Sequence, residues 1–319
     1  MEKQITNWSN GEMRFDTQRI NSEFRQGPGL EPGLDINREN IAQIRGLLGA
    51  QSSAPAPFEI ETHVHRVGEE GADPQVICYR KTNRAMQPCL LWMHGGGYVL
   101  GDAEDLRAKQ LAFDLDITVA SVEYRLAPEH PFPAGLDDCW QALNWLSTNA
   151  DTLGIDAGRL AIGGASAGAG LAAGLALKSR DEQGPDLALQ LLLYPMLDNL
   201  HASESGKIET HPVWSRATSF SAWEMYLNGV PGEAAPIYAA AARCTDVGGV
   251  APAYICVGTE DLFYGEDVDY ARRLTAAGVP CELAVYPGLY HAADVYFPEA
   301  RISQRLMASV RMALADALA

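Results

Sequence analysis

Positive charge is scarce. The 319-residue chain carries 24 Lys and Arg against 41 Asp and Glu, a net charge of −17. Nucleic acids and anionic membranes are bound through basic faces, so this balance excludes them as partners. It favours neutral substrates. Cysteine is sparse as well. Cys78, Cys89, Cys139, Cys244, Cys256 and Cys281 form no C-x-x-C pair, and several lie in apolar runs. That usage predicts buried, reduced thiols and fits a reducing cytoplasm. The opening residues, Met1-Glu2-Lys3-Gln4-Ile5-Thr6, have no apolar stretch, so no signal peptide is expected. No apolar run is long enough to span a bilayer. Repeats and low-complexity tracts are lacking. What is present is 47% apolar and only 20% charged residues, ample for a large globular core.

Residues 1 to about 50 are polar with isolated large apolar residues at helical spacing, among them Trp8, Phe15, Ile20, Phe24, Ile41 and Ile44. Gly27-Pro28-Gly29 and Glu31-Pro32-Gly33 divide this stretch, which predicts two helices. Residues 52–57 read as a linker. Alternation over Phe58–Val67 predicts a half-buried strand, paired with a second at 75–81 as an antiparallel edge. His63 and His65 share one face of it, read as a solvated strand face because no third metal ligand is in view.

From Pro88 onward the strands become fully apolar: 89–93, 117–122, 160–163, 187–193, 253–257 and 282–285. Helical stretches separate them at 104–115, 134–149, 167–180, 267–277 and 298–318. Buried strands alternating with helices predict an α/β fold with a mostly parallel sheet covered on both faces. About 50 residues intervene after Tyr194-Pro195, a length that calls for structure of its own. Their aromatic content predicts a helical lid, with Trp8, Phe15, Trp214, Trp223 and Tyr226 as candidates to shape a pocket.

Four segments carry chemistry. Gly164-Ala165-Ser166-Ala167-Gly168 joins an apolar strand to a small-residue helix, the context of a nucleophile elbow with Ser166 at its apex. A dinucleotide fingerprint at Gly168-Ala169-Gly170-Leu171-Ala172-Ala173 is rejected. It begins inside the helix, and no acidic residue follows about twenty positions on. His94-Gly95-Gly96-Gly97 follows the strand at 89–93. Its bare backbone N–H groups could hold an oxyanion, with Gly96, Gly97 and Ala167 as the expected donors. His94 is read as a brace for that loop. His291, after the last strand, is the expected base. The orienting acid should lie between serine and histidine in the chain. Asp261 is a candidate, with Glu260, Glu266 and Asp267 as rivals.

These motifs, together with the run from Tyr124 to Ala134 and Tyr194-Pro195-Met196-Leu197-Asp198, resemble the hormone-sensitive-lipase-like family of α/β-hydrolases, the bacterial family IV carboxylesterases. The resemblance covers about residues 80 to 315. It implies an eight-stranded α/β-hydrolase core at 51–198 and 236–319. It also implies a helical cap from residues 1–50 and 199–235. It selects Asp261 over Glu260 by position relative to Tyr270. It implies cofactor-free hydrolysis of short- to medium-chain esters through an acyl-enzyme, often by a homodimer, with no metal. Amides or lactones could be processed by the same triad, and a ligand-binding protein on this fold is the alternative from another class. Tyr124, Arg125, Asp137 and Asp198 are read as structural. Three departures stand out: Ala165 precedes the serine where Asp or Thr is usual, Asp261-Leu262-Phe263-Tyr264-Gly265-Glu266 replaces D-P-L-x-D-E, and Ala292-Ala293 replaces Gly-Phe after the histidine.

Overall fold

Apolar runs of strand length become the centre of the molecule. The structure is a computed structural model that describes residues 8–9, 12–13, 15–25, 35–49, 56–68, 74–84, 86–229 and 232–319. Its strands are β1 (Trp8–Ser9), β2 (Glu12–Met13), β3 (Glu61–Arg66), β4 (Gln75–Arg80), β5 (Gln87–Met93), β6 (Thr118–Glu123), β7 (Ile155–Ala165), β8 (Leu189–Leu193), β9 (Ala253–Gly258) and β10 (Cys281–Tyr286). The first two pair only with each other. The other eight form one sheet in the order β3-β4-β6-β5-β7-β8-β9-β10. Only β4 runs against its neighbours in that sheet; every other pairing is parallel.

Side chains alternate across the sheet, so each central strand feeds two cores. In β5, Cys89, Leu91 and Met93 enter one core, while Leu90 and Trp92 enter the other. Helices α3 (Ala134–Thr148), α5 (Ala167–Asp181) and α7 (Tyr264–Ala276) cover the first face. Helices α2 (Leu106–Leu115) and α9 (Arg301–Ala317) cover the second, through Leu111, Ile302, Leu306 and Val310. The remaining helices are α1 (Ile41–Gly49), α4 (Ala150–Leu153), α6 (Arg216–Tyr226) and α8 (Ala293–Tyr296). None among the described residues is long and apolar enough to cross a membrane.

Two expectations are corrected. The stretch around Phe15 is not a helix. It forms short 3-10 turns at Thr17–Arg19 and Ser22–Phe24, each started by a side-chain cap, Asp16 and Asn21. Such caps compete with α-helix continuation. The strand near His63 is exposed rather than half-buried, with Val64 56% accessible. It is the sheet's edge, where His65 packs on Trp145 at 5.0 Å. Gly27 to Gly33 and most of the linker at 52–57 lie outside the described residues.

Candidate active site

Four strands end at one place. The loops after β5, β7, β9 and β10 bring His94 to Gly97, Ser166, Asp261 and His291 together at the carboxyl edge of the sheet, where such folds build their sites. Ser166 occupies the turn between β7 and α5 with φ +56° and ψ −120°, a strained conformation for a residue with a Cβ. The residues two positions away on either side, Gly164 and Gly168, leave no room for a Cβ. A Cβ on Gly164 would collide with the Met93 carbonyl oxygen and come within 2.5 Å of the Gly168 carbonyl carbon. Helix and strand therefore approach as closely as backbone allows.

His291 Nε2 accepts the Ser166 hydroxyl at 3.0 Å. Its Nδ1–H donates to Asp261 Oδ2 at 2.9 Å. The other oxygen of Asp261 accepts the Phe263 N–H at 3.0 Å, which fixes the carboxylate. All three side chains are buried. Rings of Tyr194 and Phe263 meet the imidazole edge to face, each at 5.0 Å, and hold its plane. This arrangement can take a proton from the serine and keep the resulting imidazolium oriented. The rival Glu260 turns away to Arg19, 3.1 Å distant. Glu266 accepts the N–H groups of Leu197 and Asp198 instead. Burial and the nearby Asp198 push Glu266 well above the usual carboxylate range. Burial does the same to Asp267, with Glu266 and Asp261 close by.

The loop from His94 to Gly97 is held from both sides. His94 donates from Nδ1 to Gly95 O at 2.8 Å and stacks on Tyr124 at 4.2 Å, while the Tyr124 hydroxyl donates to His94 O. Burial lowers the His94 pKa, so it stays neutral. Gly97 has φ +62°, and a Cβ there would enter the Trp214 ring. No hydrogen bond among the described residues uses the N–H of Gly96 or Gly97. Arg125 binds a buried carboxylate, but that of Asp138, at 2.7 and 2.9 Å, rather than Asp137. Asp137 lies one position round the helix and is half-buried.

A cavity of about 780 Å³ opens over Ser166 and His291. Of the aromatic candidates, Trp214 lines it. Phe15 does not; it packs on His211 at 5.3 Å. Trp223 and Tyr226 also stay out of it, because their helix face packs on Tyr98, at 5.2 and 4.0 Å. The Trp8 side chain lies outside the described residues. Sequence reasoning missed Arg107, Tyr194 and Asp294 as cavity residues. Asp294 carried a faint signal, three positions after His291; Arg107 carried none. Ala292, where the family usually has glycine, adopts φ +55° and also lines the cavity. Among the described residues, no three His, Cys, Asp or Glu side chains are grouped to hold a metal.

Fold and site together are those of an α/β-hydrolase. A family model described as an alpha/beta hydrolase fold matches residues 90–295. Carboxylesterase NlhH of Mycobacterium tuberculosis is 35% identical over 274 residues, 81% of this chain and 82% of the relative. A solved bacterial heroin esterase superposes with a TM-score of 0.87 at 33% identity, covering 95% of this chain and 99% of that one. Esterase LipW from Mycobacterium marinum superposes at 0.86 with 34% identity, covering 95% and 98%. The chain belongs to the α/β-hydrolase fold family, on its hormone-sensitive-lipase-like branch.

Proposed function

We propose that the chain is a serine carboxylesterase that cleaves short- to medium-chain esters through an acyl-enzyme. The observation that carries this reading is the bridge made by His291, 3.0 Å from Ser166 Oγ and 2.9 Å from Asp261 Oδ2. Ser166 attacks the ester carbonyl as His291 takes its proton. Asp261 holds the tautomer and stabilises the imidazolium. The N–H groups of Gly96, Gly97 and Ala167 receive the oxyanion, and Ala167 opens α5, so the helix dipole adds to its field. His291 then protonates the leaving alcohol and later activates the water that releases the acid. The scheme draws on no metal or cofactor.

Relatives named carboxylesterase and ethyl acetate hydrolase support the same reading. We read residues 1–50 and 199–235 as two parts of one cap. Supporting this, Ile36 and Leu48 from the first and Val213 and Trp214 from the second line one cavity. Arg45 of α1 reaches down to Val99 O at 2.8 Å and to Glu129 at 2.8 Å. The cavity volume is in the range of small-molecule sites.

The test is hydrolysis of p-nitrophenyl esters from acetate to palmitate. Wild type should turn over the short chains and decline toward palmitate. Ser166→Ala and His291→Ala should each lose on the order of 10⁴-fold or more in kcat. A folded wild type inactive on every ester would refute the assignment, and full activity in His291→Ala would refute the triad.

A further inference from the structure

We propose that Arg107 recognises a neutral hydrogen-bond acceptor on the alcohol portion of the substrate, so that the preferred esters are those of alcohols bearing a carbonyl oxygen a few bonds from the ester. The inference rests on the ester-hydrolysis reading above. Arg107 stands in the first turn of α2, its backbone N–H bound to the Asp105 carboxylate at 2.8 Å. It lines the same cavity as Ser166 and His291, and its side chain is 19% accessible. The contacts that hold it are ionic and aromatic. Nε lies 3.5 Å from Asp294 Oδ2, and the guanidinium carbon lies 5.6 Å from the centre of the Tyr194 ring. Tyr194 in turn donates to Asp294 Oδ1 at 3.0 Å and meets His291 edge to face.

None of these contacts uses the guanidinium as a hydrogen-bond donor. Among the described residues its N–H groups have no hydrogen-bond acceptor, although a guanidinium offers five of them in a fixed fork. The rest of the wall is largely apolar, with Leu100, Leu106, Val213, Trp214 and Met307. A substrate that supplies an acceptor gains a charge-assisted bond in an apolar surrounding, where such bonds are strong.

The side of the ester follows from the chemistry. His291 must reach the leaving oxygen to protonate it. The wall that runs from His291 through Tyr194 to Arg107 therefore flanks the alcohol. Charge decides the kind of acceptor. Asp105 and Asp294 both line the cavity beside Arg107 and outnumber it, in a chain of net charge −17. A carboxylate on the substrate would be repelled by both, and a cation offers the guanidinium no lone pair to accept its N–H groups. A ketone, ester or amide oxygen meets neither penalty.

Three acetates of matched size test this: pentyl acetate, 4-oxopentyl acetate and the anion 4-acetoxybutanoate. Wild type should show kcat/KM about tenfold higher for the ketone than for pentyl acetate, the worth of one hydrogen bond to a charged group. The anion should be the slowest of the three. The readout is the ketone-to-pentyl ratio, which should fall to near one in Arg107→Met and be partly recovered in Arg107→Lys. A ratio near one in active wild type, an unchanged ratio in Arg107→Met, or preference for the anion would overturn the proposal. Product inhibition of wild type needs no variant: 5-hydroxy-2-pentanone should inhibit about tenfold more strongly than 1-pentanol, and equal inhibition would overturn it as well. Inactivity on all three acetates would instead sink the esterase reading itself.

Discussion

The floor and the roof of the cavity are held by different physics. In the floor, the elbow and the loop from His94 to Gly97 are fixed by backbone packed on backbone. Every polar side-chain atom of Ser166, His291 and Asp261 has a partner there. The roof, residues 199–229 with α1, is fixed by side-chain shape. Trp214 covers Gly97, while Trp223 and Tyr226 press on Tyr98. Several of its buried polar atoms go unmatched: both ring nitrogens of His201, the indole N–H groups of Trp214 and Trp223 and the Tyr226 hydroxyl find no hydrogen-bond partner among the described residues. Directional bonds hold reacting atoms to a fraction of an ångström, whereas packing fixes volume and tolerates substitution. On the proposed reading, the site joins a floor that chemistry dictates to a roof that is free to set substrate choice.

If the floor is set by backbone crowding, one methyl group there should do more damage than any cut in the roof. Gly164→Ala places its Cβ between the Met93 carbonyl oxygen and the Gly168 backbone. Neither is a flexible side chain, so β5 or the elbow must move. The expected loss is about 4 kcal/mol or more, among the largest single-residue effects. Urea denaturation would measure it. A Gly164→Ala protein with normal stability would show that the floor yields, and the contrast with the roof would be lost.

The same contrast explains what the sequence could tell. Backbone constraints leave marks on residue type: Gly96, Gly97, Gly164 and Gly168 can hardly be anything else, so the elbow and the loop before it were readable. The buried strands were readable because each must be apolar on both faces. β7 nevertheless begins at Ile155, earlier than its apolar run, because Ile155 pairs with Gln87 and the polar residues after it fall in an irregularity before Leu160 takes up Cys89. Shape constraints leave weaker marks. Trp223 and Trp214 look alike in a sequence, yet α6 turns the first toward Tyr98 while the second lies over Gly97. Arg107 and Asp294 meet only because α2 and α8 reach the same edge of the sheet. Asp137 and Asp138 are adjacent carboxylates, and only helix phase decides which one holds Arg125.

Acid should loosen the roof before the floor. His201 is packed between Phe220 and Phe263, and burial lowers its pKa to about 4, with Arg216 adding to the shift and Asp198 opposing it. Glu266 lies 3.5 Å away, and burial raises its pKa. The folded pKa of His201 lies below the unfolded value, so its contribution is fully present above about pH 6.5 and is lost as pH falls toward 4. The cost amounts to roughly 3 kcal/mol across that window. Glu266 and Asp267 have the opposite sign, since their raised pKa values favour the folded state at low pH. The readout is therefore the difference between wild type and His201→Phe. Melting temperatures from pH 7 to pH 4 should fall more steeply in wild type, and parallel curves would remove His201 from the argument.

Floor and roof touch at Gly97 and Trp214, where their independence can be measured. Gly97→Ala carries two penalties. The new methyl meets the Trp214 ring, and the residue keeps φ +62°. Displacing this N–H should lower kcat/KM by about a hundredfold, the usual worth of one oxyanion donor. In a Trp214→Ala background the steric penalty disappears and only the left-handed backbone remains, about 1 to 2 kcal/mol. The two substitutions should then couple by roughly 1 kcal/mol in a double-mutant cycle. Coupling of that size means that the roof fixes the loop that bears the proposed oxyanion donors. Strict additivity would mean that the floor holds its own geometry and that Trp214 acts on the substrate alone.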